Sequence, residues 1–293
     1  MDINTIRPGC GRTEDNLLDR TKKLLRRVDV RARKRLGQHF LVDEKALEKV
    51  VESAGLGPDD SVLEVGPGLG TLTQELSRRA GKLIAVELDD RLAAVLAEDF
   101  KSRKNVEIVN GDILKLDLKE LLWGLRGYKL VANLPYYITS AVLRRFLEAA
   151  GKPRLMVVMV QKEVAEAIAA GPGKMSLLAV SVQFYGKPRV ISLVPASSFY
   201  PPPEVDSAIL KIDVYPEPAV PVRNVDGFFR LVRAGFCASR KQLLNSLSQG
   251  LGIGRADAAL LLEEAGIEPK RRAEALSLEE WFSLWQAMER RQM

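Results

Sequence analysis

Histidine is almost missing from this chain: His39 is the only one in 293 residues. Only Cys10 and Cys237 join it as soft ligands, so a His- or Cys-rich zinc site lacks a donor set. Two cysteines so far apart also make no disulfide framework. No apolar run approaches the roughly 20 residues that a membrane span requires. No short apolar segment with a cleavage site follows Met1, which argues against a secretory leader. These absences predict a reduced, cytoplasmic, metal-free protein outside the membrane. What is present is ample apolar material, 46% of the residues, enough for a large domain and a smaller one.

Four strand ends carry the chemistry. Ser61-Val62-Leu63-Glu64-Val65 reads as a buried strand running into Gly66-Pro67-Gly68-Leu69-Gly70 and then a helical pattern from Thr71 to Arg79. Glycines at such a place let backbone approach a ligand closely, although a Gly-rich loop alone fits many nucleotide sites. The next apolar strand, Leu83 to Val86, ends in Glu87, about twenty residues on, where a carboxylate can accept ribose hydroxyls. The third, Val106 to Val109, ends in Asn110-Gly111-Asp112-Ile113, which offers an acceptor for an adenine amino group and an apolar side chain for its ring. Any one of these acids alone reads equally well as a helix cap or a surface charge. In register they point to an adenosine cofactor.

The fourth strand, Lys129 to Ala132, ends in Asn133-Leu134-Pro135-Tyr136. By itself an Asn-x-Pro-aromatic string is as often a plain turn. It also suits one demanding task. The exocyclic amine of adenine is a poor nucleophile because its lone pair is spread into the ring. The amide oxygen of Asn133 and the carbonyl of Leu134 or Pro135 can accept its two N–H bonds and draw the nitrogen toward a tetrahedral shape. Pro135 stiffens the loop and brings no competing N–H, and Tyr136 offers a face for an extruded base. A nucleophilic amine beside an adenosine site calls for S-adenosyl-L-methionine, leaving S-adenosyl-L-homocysteine as product. The net charge of +6 is concentrated from Arg20 to Arg35, where nine bases face Asp29 alone. Such a run is often a solvated face; next to an adenine-presenting loop it reads as a phosphate-tracking surface.

Together these strings resemble the ribosomal RNA adenine N6-dimethyltransferases, the bacterial small-subunit branch above all. Lys34 to Asp43 is similar to the family's cofactor-closing segment, and Phe199-x-Pro201-x-Pro203-x-Val205-Asp206-Ser207 to the segment leading into its last strand. Phe236 to Lys241 and Asn245-Ser246-Leu247 are similar to its C-terminal helical motif. The resemblance implies cofactor contacts from His39, Leu41, Gly66, Gly68, Glu87, Leu88, Asp112, Ile113 and Asn133. It implies base handling by Asn133, Leu134, Pro135 and Tyr136, with Phe199 facing Tyr136 across the base. RNA contacts would come from Arg33, Lys34, Arg35, Arg240 and Lys241.

The implied fold is α/β, a class I S-adenosylmethionine methyltransferase: Rossmann-like, with a mostly parallel seven-stranded sheet and a smaller C-terminal all-α domain. Expected boundaries are a basic extension over 1–33, the methyltransferase domain over 34–215 and a helical domain over 216–293. Arg154 to Val160, Leu177 to Tyr185 and Ser207 to Val214 supply the remaining strands, the last of them antiparallel. Helices are expected over Asp226 to Phe236, Arg240 to Gln249, Ala256 to Ala265 and Leu278 to Arg290. Ser277 and Glu280 form a capping box for the last, and Trp281 and Trp285 pack inward. The implied activity is dimethylation of two adjacent adenines in the 3′-terminal hairpin loop of small-subunit (16S) ribosomal RNA, by a monomer acting on the pre-30S or 30S particle, with a role in its biogenesis. Competing readings are a large-subunit adenine methylase of the macrolide-resistance type and an assembly factor with dispensable catalysis. A DNA adenine methylase lacks its target-recognition insert here, and a dehydrogenase leaves Asn133 to Tyr136 unexplained.

Overall fold

The computed structural model describes residues 16–28, 38–125 and 127–291. The basic stretch Arg31 to Arg35, with the expected RNA contacts Arg33, Lys34 and Arg35, therefore lies outside the described residues, as does Cys10. The first described helix is α1 (Leu17–Val28), which holds part of that basic run. A short strand β1 (Phe40–Leu41) and helix α2 (Glu44–Ala54) follow. Then come β2 (Ser61–Val65), α3 (Thr71–Ser77), β3 (Lys82–Glu87), α4 (Asp90–Phe100), β4 (Val106–Asn110), α5 (Leu118–Leu121), β5 (Lys129–Asn133), α6 (Thr139–Leu147), β6 (Leu155–Gln161) and α7 (Lys162–Ile168).

This alternation makes a doubly wound sheet of order β4-β3-β2-β5-β6, all parallel. The chain runs outward from β2 to β4 and then returns to β5 on the other side of β2. A crevice therefore opens between the C-terminal ends of β2 and β5, where ligands of such sheets bind. Side chains alternate between the two faces along each strand. Leu130 and Ala132 of β5 join one apolar cluster, whereas Val131 between them joins the other, with α2 and α3.

One expected strand is a helix. Leu177–Tyr185 is α8, and the strand lies just beyond it as β7 (Gly186–Val194). An unbroken apolar run fits a buried helix as well as a buried strand. Here Ser176 decides: its Oγ accepts the Ala179 N–H at 3.1 Å and caps α8. Two further strands are β8 (Phe199–Tyr200), paired with β1, and β9 (Ser207–Val214). β9 inserts antiparallel between β6 and β7, so it alone runs against the other members of the seven-stranded sheet. The antiparallel reading of Ser207 to Val214 is thus met.

Four helices close the chain: α9 (Val225–Phe236), α10 (Leu243–Leu251), α11 (Arg255–Glu264) and α12 (Leu278–Arg290). The second begins at Leu243 and not Arg240, which leaves Arg240 and Lys241 exposed in the turn before it. Ser277 and Glu280 do form a capping box, and Trp281 and Trp285 are buried. These helices share the sheet's own core. Phe184 stacks on Phe228 with ring centroids 5.2 Å apart, and Phe228 meets Trp285 edge-on at 6.4 Å. Among the described residues no helix is long and apolar enough to cross a membrane.

Candidate active site

A cavity of about 280 Å³ occupies the crevice between β2 and β5. Its floor is the glycine loop. Gly66, Gly68 and Gly70 have φ of 70, 61 and 79°, the left-handed region that only glycine enters freely. A Cβ on Gly68 would come within 3.1 Å of the Phe40 ring, so β1 closes directly over the loop. The Gly68 N–H donates to Glu87 Oε2 at 2.9 Å, and the Asp89 N–H donates to Oε1 at 2.9 Å. Glu87 therefore ties the glycine loop to the start of α4. Burial raises its pKa above the usual carboxylate range, against the pull of the two N–H donors. On the next strand end, Asp112 Oδ1 accepts from the Leu114 N–H at 3.0 Å, and the Lys115 ammonium lies 3.5 Å from Oδ2.

The opposite wall is the loop after β5. Asn133 donates from Nδ2 to the His39 carbonyl at 3.0 Å, and its Oδ1 accepts no hydrogen bond from a described residue. That bond fixes which way the amide faces. The Pro135 carbonyl accepts the Ile138 N–H at 3.1 Å and the Thr139 hydroxyl at 3.5 Å, so both its lone pairs are engaged within the short turn Tyr136–Ile138 and the helix after it. Of the two carbonyls expected to serve a base, the Leu134 one is left. Leu134 itself is held by its N–H, which donates to Met159 O at 3.1 Å. Tyr136 is fixed at its hydroxyl, 2.7 Å from Ser207 Oγ, and its ring stacks on His39 at 5.9 Å and 23°. His39 is oriented in turn through Nδ1, 2.8 Å from the Pro201 carbonyl; only the ring nitrogen can donate there.

Residue by residue, His39, Leu41, Gly66, Gly68, Glu87, Leu88, Asp112, Ile113 and Asn133 to Tyr136 all line this one cavity. Phe199 does not. It pairs with Leu41 across the β1–β8 ribbon and is buried in the cluster with Val194 and Ile209, so the ring that faces Tyr136 is His39. Arg240 and Lys241 are exposed in their turn, outside the cavity.

Tyr137 and Glu64 are among the lining residues that escape the sequence reading. Tyr137 stands at the cavity mouth. Glu64, inside β2, is 1% exposed; its Oε2 and the buried Thr73 hydroxyl beside it make no hydrogen bond of ordinary length and angle. Burial pushes the Glu64 carboxyl up to about 8 against the pull of the Thr73 hydroxyl, and the Glu87 carboxylate adds to the rise. Its signal in the sequence is a lone acid within an apolar strand.

Residues 30–289 match the model of the ribosomal RNA adenine dimethylase family. The chain belongs to that family. It is 56% identical over 269 residues to a ribosomal RNA small subunit methyltransferase A from Dehalococcoides mccartyi, covering 92% of each chain. To the same-named protein of Pelotomaculum thermopropionicum it is 46% identical, over 90% of this chain and 93% of the other. Among solved structures, a dimethyladenosine transferase from Plasmodium falciparum superposes with a TM-score of 0.73 at 25% identity, over 87% of this chain and 99% of that one. A 23S rRNA methyltransferase, ErmE, does so at 0.68 and 29%, over 85% and 99%. The resemblance read in the motifs is thus to the right family, and this dimethylase has the Rossmann-like methyltransferase fold expected of it. It is an S-adenosylmethionine-dependent enzyme of the small-subunit branch. The residues present suit that cofactor. Glycine backbone, the Glu87 and Asp112 carboxylates, apolar Leu88 and Ile113, and a buried Glu64 oxygen make a donor set for an adenosine carrying a positive charge. Among the described residues no group of three or more His, Cys, Asp or Glu is placed to hold a metal.

Proposed function

We propose that this dimethylase modifies N6 of two adjacent adenines in the 3′-terminal hairpin loop of small-subunit (16S) ribosomal RNA, within the pre-30S or 30S particle, and so contributes to its maturation. The observation that carries the reaction is Asn133: its Nδ2 is committed to His39, so its Oδ1 is the free acceptor at the end of β5. When bound, S-adenosylmethionine supplies a methyl group on a positively charged sulfur. Asn133 Oδ1 and the Leu134 carbonyl accept the two N–H bonds of the target amine, which localises its lone pair. Tyr136, pinned through Ser207, carries the extruded base on its ring. Glu87 accepts ribose hydroxyls, Asp112 accepts from the cofactor's adenine between Leu88 and Ile113, and Glu64 faces positive charge.

No strong base is needed, because the methylated amine is acidic until it loses its proton to water. Rate enhancement then rests on alignment and exclusion of water. In the second round only one N–H remains, so one acceptor is used and the loop must admit a methyl group. A target in an unpaired loop lowers the cost of extrusion. Arg33, Lys34, Arg35, Arg240 and Lys241 contact phosphates, and Phe199 braces the β1–β8 ribbon from the core through its pairing with Leu41. The enzyme works as a cytoplasmic monomer.

The test is transfer of labelled methyl to small subunits from cells lacking the modification, with free RNA, large subunits and duplex DNA alongside. Two neighbouring N6,N6-dimethyladenines on the small subunit, located by digestion and mass spectrometry, are expected. Label on large-subunit RNA instead would move the substrate to that of the resistance-type methylases. Particle binding without any transfer would favour the assembly-factor reading.

A further inference from the structure

Tyr136 and Tyr137 are consecutive residues of one turn, yet they face different halves of the cavity. The turn has 3₁₀ geometry, with about three residues per turn, so neighbouring side chains project about 120° apart. Tyr136 is turned toward His39 and Ser207, the side where Asn133 would hold a base. Tyr137 shares the cavity wall with Leu88, after β3, and Asp112, after β4. The Asp112 and Glu87 carboxylates both act on its phenol, which they and, above all, burial raise above its ordinary range. Those two acids mark the side argued above to hold adenosine.

The mouth of the cavity there is unfinished. Leu88 is 44% exposed and Tyr137 60%, and both line the cavity. The Tyr137 ring makes no hydrogen bond and no ring contact with any described residue. An aromatic residue held on a proline-braced turn at a pocket mouth, with its face unused, is placed to cover a ligand. Small molecules in such clefts bury about 70–90% of their surface, which the two exposed side chains could supply on this side.

We infer that Tyr137 closes over the adenosine of the cofactor opposite Leu88. The inference rests on the cofactor reading above.

The experiment is calorimetric titration with S-adenosylhomocysteine, followed by RNA-particle binding without it. Tyr137→Ala is expected to weaken S-adenosylhomocysteine about tenfold with an unchanged melting temperature of the free protein. Tyr137→Phe is expected to bind as the parent does, because the ring face and not the hydroxyl makes the contact. Particle affinity in the absence of S-adenosylhomocysteine should stay the same in Tyr137→Ala. Unchanged S-adenosylhomocysteine affinity in Tyr137→Ala would overturn the inference. So would a loss of particle affinity in the absence of S-adenosylhomocysteine, which would make the ring a platform for a neighbouring nucleotide. If the parent binds no S-adenosylhomocysteine, the cofactor reading itself falls, and that is seen before any variant is compared.

Discussion

A carboxyl group enclosed in a strand, as at Glu64, keeps its proton far longer than one in water. Its pKa rises from an ordinary 4.5 to about 8, burial being the main cause. Between those values the folded protein holds a proton that the unfolded chain has lost. Stability therefore declines as pH rises across that interval, with the loss complete above about 8. Glu64→Gln removes the titration, so its melting temperature should gain on the parent's steadily from acid to mildly alkaline pH. Parallel curves would show that Glu64 ionises normally. A cation bound beside it should also release the proton, seen as buffer-dependent heat near neutrality that the Gln variant lacks. At Asn133 the expectation is different: Asn133→Ala should leave S-adenosylhomocysteine binding within a few fold and lower methyl transfer by about 100- to 1000-fold, as loss of one preorganised polar group does. Near-normal turnover would remove the amine-localising role. Asn133, Glu87 and Asp112 are legible in the sequence because each ends a strand or follows one within two residues. Glu64 is not, since it sits within one and shares its pattern. Phe199 shows the opposite failure. Its motif is legible, but its side chain is buried behind the β1–β8 ribbon, which no spacing discloses.

At the scale of elements, most of the sheet is readable because fully buried parallel strands are short apolar runs bounded by glycine and acids. The misread segment is instructive. In α8 the apolar residues run all round because α6, α7 and α9 surround it, so helical periodicity is erased. β7 has the reverse problem. It is an edge strand with charged Lys187 and Arg189 and a proline, and its register shifts between Val190 and Ser192, so alternation is broken. The cap at Ser176 is the local signal that separates the two. Ser176→Ala should cost about 1 kcal/mol of stability, read as a lower denaturant midpoint at unchanged slope. A strand over the same residues would lose almost nothing, so a neutral result would count against the helix cap. Arg240 and Lys241 follow the same lesson: a helix that starts at Leu243 leaves both exposed in the turn before it, with the Lys241 ammonium 3.4 Å from Gln249 Oε1.

For the molecule as a whole, the decisive property is that one parallel sheet brings four distant strings to one edge. Gly66, Glu87, Asp112 and Asn133 are widely spaced in sequence, and the return from β4 to β5 sets the last beside the first. That juxtaposition is legible once the strand order is granted. The attachment of the C-terminal helices is not, since the contact of Phe184 with Phe228 depends on α8 being a helix. Through that shared core, the turn bearing Arg240 and Lys241 belongs to the same body as the active site, and its charge can act on a substrate held there. A net charge of +6 makes binding to RNA salt-dependent, and each phosphate neutralised contributes about 0.7–0.9 to the slope of log affinity against log salt. Replacing both Arg240 and Lys241 by alanine should therefore lower that slope for small-subunit particles by about 1.4–1.8. Affinity for S-adenosylhomocysteine should stay unchanged, because neither residue lines the cavity. An unaltered slope would mean that these two cations face solvent in the complex, and that the phosphate contacts come from elsewhere on the basic surface, such as α1 with its Arg20, Lys22 and Arg26.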